Sequence, residues 1–293
     1  MKNTNISFII PAYNCSKYLS DAINSIYKGN FTDGDEVIII DDASTDRTLK
    51  VAKSLQKKYP AISLFRHHYN KGSAAAGRNT GIDNSKNDLI FCLDADNILA
   101  SDSISKLKKY MLSNNADAAA FGDLYYFKDK TQKVTHKWIY KSNITLYDVI
   151  NETKKTPCAS GNYLYTKKSW IYAGRYNEYI GGACDSWAFG FCQLVTGSKM
   201  VTMPNSFYYH RYGYESAYVR SVKKKNPSLS ILQIILPFIN LFDERDVDYI
   251  MSNKGRYTWI DDIQNHPIKL KIRTTDTDIK SNIAKIILKI IKK

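Results

Sequence analysis

Short apolar runs alternate with amphipathic stretches through the first third of the chain, and this alternation sets the fold class. Residues 6–10 form an apolar run ended by Pro11, and 16–27 place Leu19, Ile23 and Ile26 at helical spacing. A second run at 36–40 stops at Asp41 and Asp42, after which 45–55 reads as a helix. A third strand is predicted at 62–65, a third helix at 73–82 and a fourth strand at 88–93. Strands apolar on both faces, interleaved with helices, predict an α/β fold: a mostly parallel, Rossmann-like central sheet flanked by helices.

Open sheets of this kind collect ligands beyond the carboxyl ends of their strands. Each predicted end carries a polar cluster: Tyr13-Asn14, Asp41-Asp42, residues 67–71, and Asp94-Ala95-Asp96. From about residue 101 the pattern becomes mixed, with aromatics concentrated at 121–127 and 138–147, where acceptor recognition is expected. After about residue 218 it turns helical and then lysine-rich, with no internal repeat.

The chemistry sits in three of these clusters. Asp94 and Asp96 lie two apart at a strand end, where close carboxylates repel unless they share a cation; hard oxygen ligands suit Mg2+ or Mn2+ bridging phosphates. The bland alternative is a solvated turn with Asn97 as its cap. Asp41 and Asp42 offer acceptors to the donor groups of a base or ribose, and Ser44 or Thr45 is a ready N-cap for the helix that follows. Residues 70–79 open a helix with small side chains, Lys71 and Arg78, which suits a diphosphate at a helix N-terminus; tight packing on the sheet is the alternative.

Residues 9–14 (Ile-Ile-Pro-Ala-Tyr-Asn), 41–46 (Asp-Asp-Ala-Ser-Thr-Asp), 70–82 and 93–97 (Leu-Asp-Ala-Asp-Asn), in this order and spacing, resemble the inverting family 2 glycosyltransferases of GT-A fold over roughly 5–215. The resemblance implies that Pro11, Tyr13 and Asp42 surround the base, that Asp94 lies near the ribose and that Asp96 holds the metal. Asn14, Lys71 and Arg78 read as further donor contacts, and the resemblance also implies a carboxylate that deprotonates the acceptor hydroxyl. In the matching segment 181–187 that base is Asp185, with Glu178 in reserve. Here the segment departs from the family pattern, because Cys184 and Trp187 stand where acids are usual. A late histidine sometimes completes the metal site in such enzymes, which nominates His210; packing is the alternative, and the adjacent Arg211 suits a phosphate.

The organisation expected is a catalytic domain at 1–218, divided near residue 100 into nucleotide-binding and acceptor halves, and a helical extension at 219–293. The implied reaction moves a sugar from a nucleoside diphosphate, UDP favoured, to a hydroxyl of a glycan or lipid-linked acceptor in surface polysaccharide or glycoconjugate synthesis, with Mn2+ or Mg2+. Two rivals remain. A sugar nucleotidyltransferase typically opens with a Gly-rich phosphate loop, where this chain has Pro11-Ala12-Tyr13-Asn14; a non-catalytic membrane-associated scaffold would not need Asp94, Asp96 and Arg78 intact.

The net charge of +14 favours anionic partners, but the interior has no long basic run, so nucleic acid is not expected as a partner. Five cysteines without a Cys-x-x-Cys pair read as buried thiols in a reducing compartment. No secretory signal or spanning segment is evident, which points to the cytoplasm. Residues 279–293 form a basic amphipathic helix with isoleucines on one face, suited either to an anionic membrane surface or to packing on the catalytic domain or another subunit.

Overall fold

The computed structural model describes residues 4–152, 156–180, 184–213 and 226–270. The expected alternation is present as β1 (Ile6–Ala12), α1 (Leu19–Tyr27), β2 (Glu36–Asp41), α2 (Thr48–Lys58), β3 (Ile62–Arg66), α3 (Ala74–Asp83) and β4 (Leu89–Cys92). The chain continues through β5 (Ile98–Leu99), α4 (Ser103–Ser113), β6 (Ala118–Phe127), β7 (Val134–Ile139), β8 (Asn143–Ile144), α5 (Leu146–Asn151), α6 (Pro157–Ser160), β9 (Leu164–Thr166), α7 (Lys167–Tyr172), α8 (Asp185–Val195) and β10 (Met200–Arg211). Helices α9 (Pro227–Ile235), α10 (Glu244–Met251) and α11 (Gly255–Asp262) follow, with a 3-10 turn at Leu236–Leu241. The stretch at 279–293 lies outside the described residues. Among those described, no helix is long and apolar enough to cross a membrane.

The sheet runs in the order β3-β2-β1-β4-β9-β6-β10-β5. Its first four strands are parallel, whereas β9 runs antiparallel between β4 and β6. Side-chain alternation divides the core into two layers. Ile9, Ile38 and Ile40 face a layer containing Ala75 and Ile82 of α3, Trp187 and Phe191 of α8, and Trp259 of α11. Phe8, Ile10, Val37 and Ile39 face the other, with Leu19 and Ile23 of α1, Leu55 of α2 and Leu107 of α4.

Two glycines one turn apart bring α3 down onto the sheet. A Cβ at Gly81 would lie 2.5 Å from Ile9 Cγ2 and 2.7 Å from Ile40 Cδ1, and one at Gly77 would lie 3.0 Å from Pro11 Cβ. The small residues of this segment therefore serve packing against β1 and β2, and the close approach fixes the level at which Arg78 leaves the helix.

The capping expected at Ser44 or Thr45 is not what forms. Helix α2 starts later, with Arg47 at the N-cap position and no side-chain cap. Ser44 Oγ instead accepts from the Asn14 backbone N–H at 3.0 Å, and Asn14 Oδ1 accepts from the Thr45 backbone N–H at 2.9 Å. The two loops after β1 and β2 thus use their polar side chains to bind one another. Asp46 Oδ1 meets the orphan N–H of Thr48 at 2.8 Å, which satisfies one donor of the first turn.

Candidate active site

Pro11, the last residue but one of β1, is in register with Ile40, and Tyr13 follows the strand with 41% of its surface exposed at the rim. Asn14, at φ 49, braces the loop across to residues 44–46. Asn14 faces the β2 loop, and its described contacts are structural. Asp41 is fully buried, ion-paired with Arg66 Nε at 3.2 Å. Asp42 is held by His67 Nδ1 at 2.6 Å and by the Lys71 backbone N–H at 3.0 and 3.1 Å, while His67 Nε2 reaches Thr80 Oγ1 at 3.0 Å. The Lys71 ammonium is exposed, donating to Tyr69 Oη at 2.9 Å. A cleft of about 310 Å³ opens here, between His67, Tyr69, Lys71, Ala76, Thr80 and Glu178.

Arg78 projects from α3 into a buried junction. One terminal nitrogen donates to Asp94 Oδ1 at 2.8 Å; the other donates to Asp185 Oδ2 at 2.8 Å and to Ser186 Oγ at 3.0 Å. Burial alone would lower the guanidinium pKa, but the Asp94 and Asp185 carboxylates outweigh it and hold the group charged. Expected to face a diphosphate, Arg78 here has both terminal nitrogens engaged by protein and only 3% of its surface open. Asp94 is further fixed by Asn162, whose Nδ2 donates to Asp94 Oδ2 at 2.8 Å and whose Oδ1 accepts from the Asp94 N–H at 2.8 Å. Gly161, at φ +70, leaves room for this junction: a Cβ there would sit 2.4 Å from Ser186 Oγ.

Asp185 lies in the first turn of α8, with Cys184 at the N-cap, and its Oδ2 is ion-paired with Arg78 at 2.8 Å. The helix begins at Asp185 itself, so this carboxylate belongs to its first turn and does not cap it from outside. The preceding residues 181–183 lie outside the described ones. Glu178 is placed differently: Oε1 accepts from Asn79 Nδ2 at 2.7 Å and the residue lines the cleft beside Lys71, away from the Arg78 junction.

Asp96 is part-buried, and burial together with the charge of Asp94 pushes its carboxyl up to about 7, against the lowering pull of Arg211. His210, on β10, is brought to the same rim: Asn97 Nδ2 and Tyr208 Oη lie 3.4 and 3.3 Å from its Nδ1. Burial pulls its imidazole down to about 4, so it is neutral at physiological pH and able to act as a ligand. Among the described residues no three His, Cys, Asp or Glu side chains converge as a ready cage. Asn97 supports both sides of the turn, donating its N–H to Asp94 O at 3.0 Å and accepting from the Arg211 N–H at 3.0 Å, so the turn with Asn97 is real but buried.

Arg211, next to His210, alternates to the other side of the strand. It donates to the backbone oxygens of Asp96 and Lys128 and to Asp21 Oδ2, between the rings of Tyr18 and Phe127. With its donors spent on three chain segments and 5% of its surface open, it is a structural clamp, which corrects its expected phosphate role. Sequence reasoning missed Asn162, Ser186 and the His67–Thr80 link. All three gain their roles from partners distant in the chain, and the one local signal was the Gly161-Asn162 pair.

With this geometry in place, the comparisons are consistent. The model of glycosyl transferase family 2 matches residues 7–172, more than half of the chain, and the protein belongs to that family. It is 32% identical over 152 residues to the poly(ribitol-phosphate) beta-N-acetylglucosaminyltransferase TarP of Staphylococcus aureus, a match covering 50% of this chain and 45% of TarP. The chain spans about two fifths of the length of other curated relatives that it matches. Its fold is similar to that of S. aureus TarS in complex with UDP-GlcNAc, at a TM-score of 0.64 and 16% identity, covering 88% of this chain and 70% of TarS. It is also similar to the mannosyltransferase PcManGT of Pyrobaculum calidifontis in complex with GDP-Man and Mn2+, at a TM-score of 0.58 and 14% identity, covering 100% and 76%. The fold is therefore GT-A.

Proposed function

We propose that this chain is a metal-dependent, inverting glycosyltransferase that moves a sugar from a nucleoside diphosphate, UDP in preference, to a hydroxyl of a glycan or lipid-linked acceptor. The observation that carries the reading is the junction of Asp94, Arg78 and Asp185, with Asp96 beside it, beyond the carboxyl ends of β1, β2 and β4. Relatives named as poly(ribitol-phosphate) transferases, and neighbours solved with UDP-GlcNAc or with GDP-Man and Mn2+, support the donor and acceptor classes.

In this reading Pro11, Tyr13 and Asp42 surround the base, Asp94 faces the ribose, and the exposed Lys71 is the cation available to the diphosphate. Asp96 and His210 would hold Mn2+ or Mg2+, which neutralises charge on the departing diphosphate when bound. The donor's own phosphate oxygens would complete the ligand set, since the described residues bring no third side chain. Asp185 takes the proton from the acceptor hydroxyl as that oxygen bonds to the anomeric carbon and the bond to the diphosphate breaks. Arg78 acts by position: it holds Asp185 in place and ties it to the carboxylate that orients the donor. The catalytic unit would be 1–218, with 219–293 as an extension whose end meets a membrane surface or another protein.

A donor panel tests this. Thermal stability is measured with nucleoside diphosphates and their sugars, with and without Mn2+, followed by assay of transfer. Stabilisation by one nucleotide, enhanced by Mn2+, is expected; failure of every nucleotide to stabilise the protein removes the reading.

A further inference from the structure

The hydrogen bonds around Asp42 leave it an unequal pair of oxygens. Oδ1 accepts from His67 Nδ1 at 2.6 Å and from the Lys71 N–H at 3.0 Å, whereas Oδ2 accepts only the longer arm of that same N–H, at 3.1 Å. A carboxylate oxygen has about two lone-pair directions, so among the described partners Oδ1 is filled and Oδ2 keeps one open. His67 is itself fixed, because Nε2 is engaged by Thr80 Oγ1 at 3.0 Å on α3, the helix set down on the sheet by Gly77 and Gly81. Asp42 and His67 side chains keep about a tenth of their surface open, so neither can reorient freely toward a ligand.

We infer that His67 is a specificity-determining residue: by filling Oδ1 of Asp42 it leaves one acceptor for the donor's base, which favours uracil over guanine. Uracil presents a single ring N–H between two carbonyls and needs one acceptor. Guanine presents adjacent ring N–H and amino donors, a pair that a carboxylate answers with both oxygens. With Oδ1 filled, guanine leaves a buried donor unpaired, and a site built on hydrogen bonds rejects such a mismatch strongly. The inference rests on the proposed role of Asp42 at the base. It goes further in assigning selection to His67, outside the motifs that suggested a nucleotide.

The test is titration calorimetry of the full chain with UDP and with GDP, both with Mn2+ present, on four proteins. His67→Asn places an amide N–H where Nδ1 stands; His67→Gln places it where Nε2 stands; His67→Leu places none. The wild type should bind UDP about ten-fold or more tighter than GDP, and His67→Asn should keep that preference. His67→Gln and His67→Leu should lose most of it, and melting temperatures identify any variant that fails to fold; either of the two suffices. A UDP-to-GDP ratio unchanged in both, or lost equally in His67→Asn, overturns the role of His67 while leaving the donor reading intact. A wild type that prefers GDP overturns the inference alone, and one that binds neither nucleotide removes the donor reading with it.

Discussion

Arg78 on α3 and Asp185 at the start of α8, 107 positions apart in the chain, meet at 2.8 Å, and the same guanidinium holds Asp94 at 2.8 Å on its other terminal nitrogen. The residue proposed to orient the donor and the residue proposed to activate the acceptor are therefore coupled through one buried cation. Removing it leaves two carboxylates without compensation in a part-buried site. Arg78→Met is expected to cost about 3–5 kcal/mol in urea unfolding, and Arg78→Lys most of that, since one ammonium cannot span both partners. A change under about 1 kcal/mol in Arg78→Met would show that the carboxylates are solvated instead.

Asp185→Asn keeps size and shape but forfeits the proton acceptor. The variant should hold UDP as tightly as the wild type by calorimetry while transfer falls by about 100-fold or more. Transfer at the wild-type rate would disqualify Asp185 and turn attention to Glu178.

Asp96 gives a pH signature. Its folded carboxyl stands at about 7, above the ordinary value of 3.8, so its contribution to stability is full below that ordinary value and is lost as pH rises through about 7. His210 works in the opposite sense: at about 4 against an ordinary 6.5, its contribution is lost as pH falls through that window. Asp96→Asn separates the two. In EDTA, the melting temperature of the wild type relative to Asp96→Asn should decline from pH 4 to pH 8 by several degrees. A flat difference would mean the carboxyl is not held up.

The same carboxyl predicts the cation response. Mn2+ should stabilise the wild type more at pH 8 than at pH 5 in the presence of UDP, and Asp96→Asn should lose that increment. Chelation should abolish transfer, and full turnover in excess EDTA would remove the metal from the reaction.

Gly81→Ala tests how α3 is seated. The added methyl would press on Ile9 and Ile40 where α3 meets the sheet, at an expected cost of about 1–3 kcal/mol by denaturant unfolding. No cost would show that α3 can lift freely, and with it Arg78.

The sheet was legible because burial on both faces leaves an unbroken apolar signal, as in residues 37–40, and because the polar clusters stand where those runs stop. Helix starts were less legible. Asn14 recruits Ser44 and Thr45 across the loops, and no local propensity reports a partner thirty residues away. Arg78, Asp94 and Asp185 could each be named from their motifs, but their mutual contact could not, since it depends on Gly161 leaving space beside Ser186. Asn162 stood in a segment without periodicity, and Arg211 was misread because an exposed cation and a buried clamp are spelled alike.

The thiols give the molecule a built-in clock. Burial holds Cys15, Cys158, Cys184 and Cys192 up at about 12 and raises Cys92 as well, so almost no thiolate exists for a reagent to attack while the fold is closed. Alkylation must then wait for local opening, and each sulfur times a different part of the molecule. Cys15 lies under the loop that braces residues 44–46, Cys92 ends the strand before Asp94, and Cys184 precedes Asp185. Their relative labelling rates rank how often each wall of the proposed site breathes, without a single engineered probe.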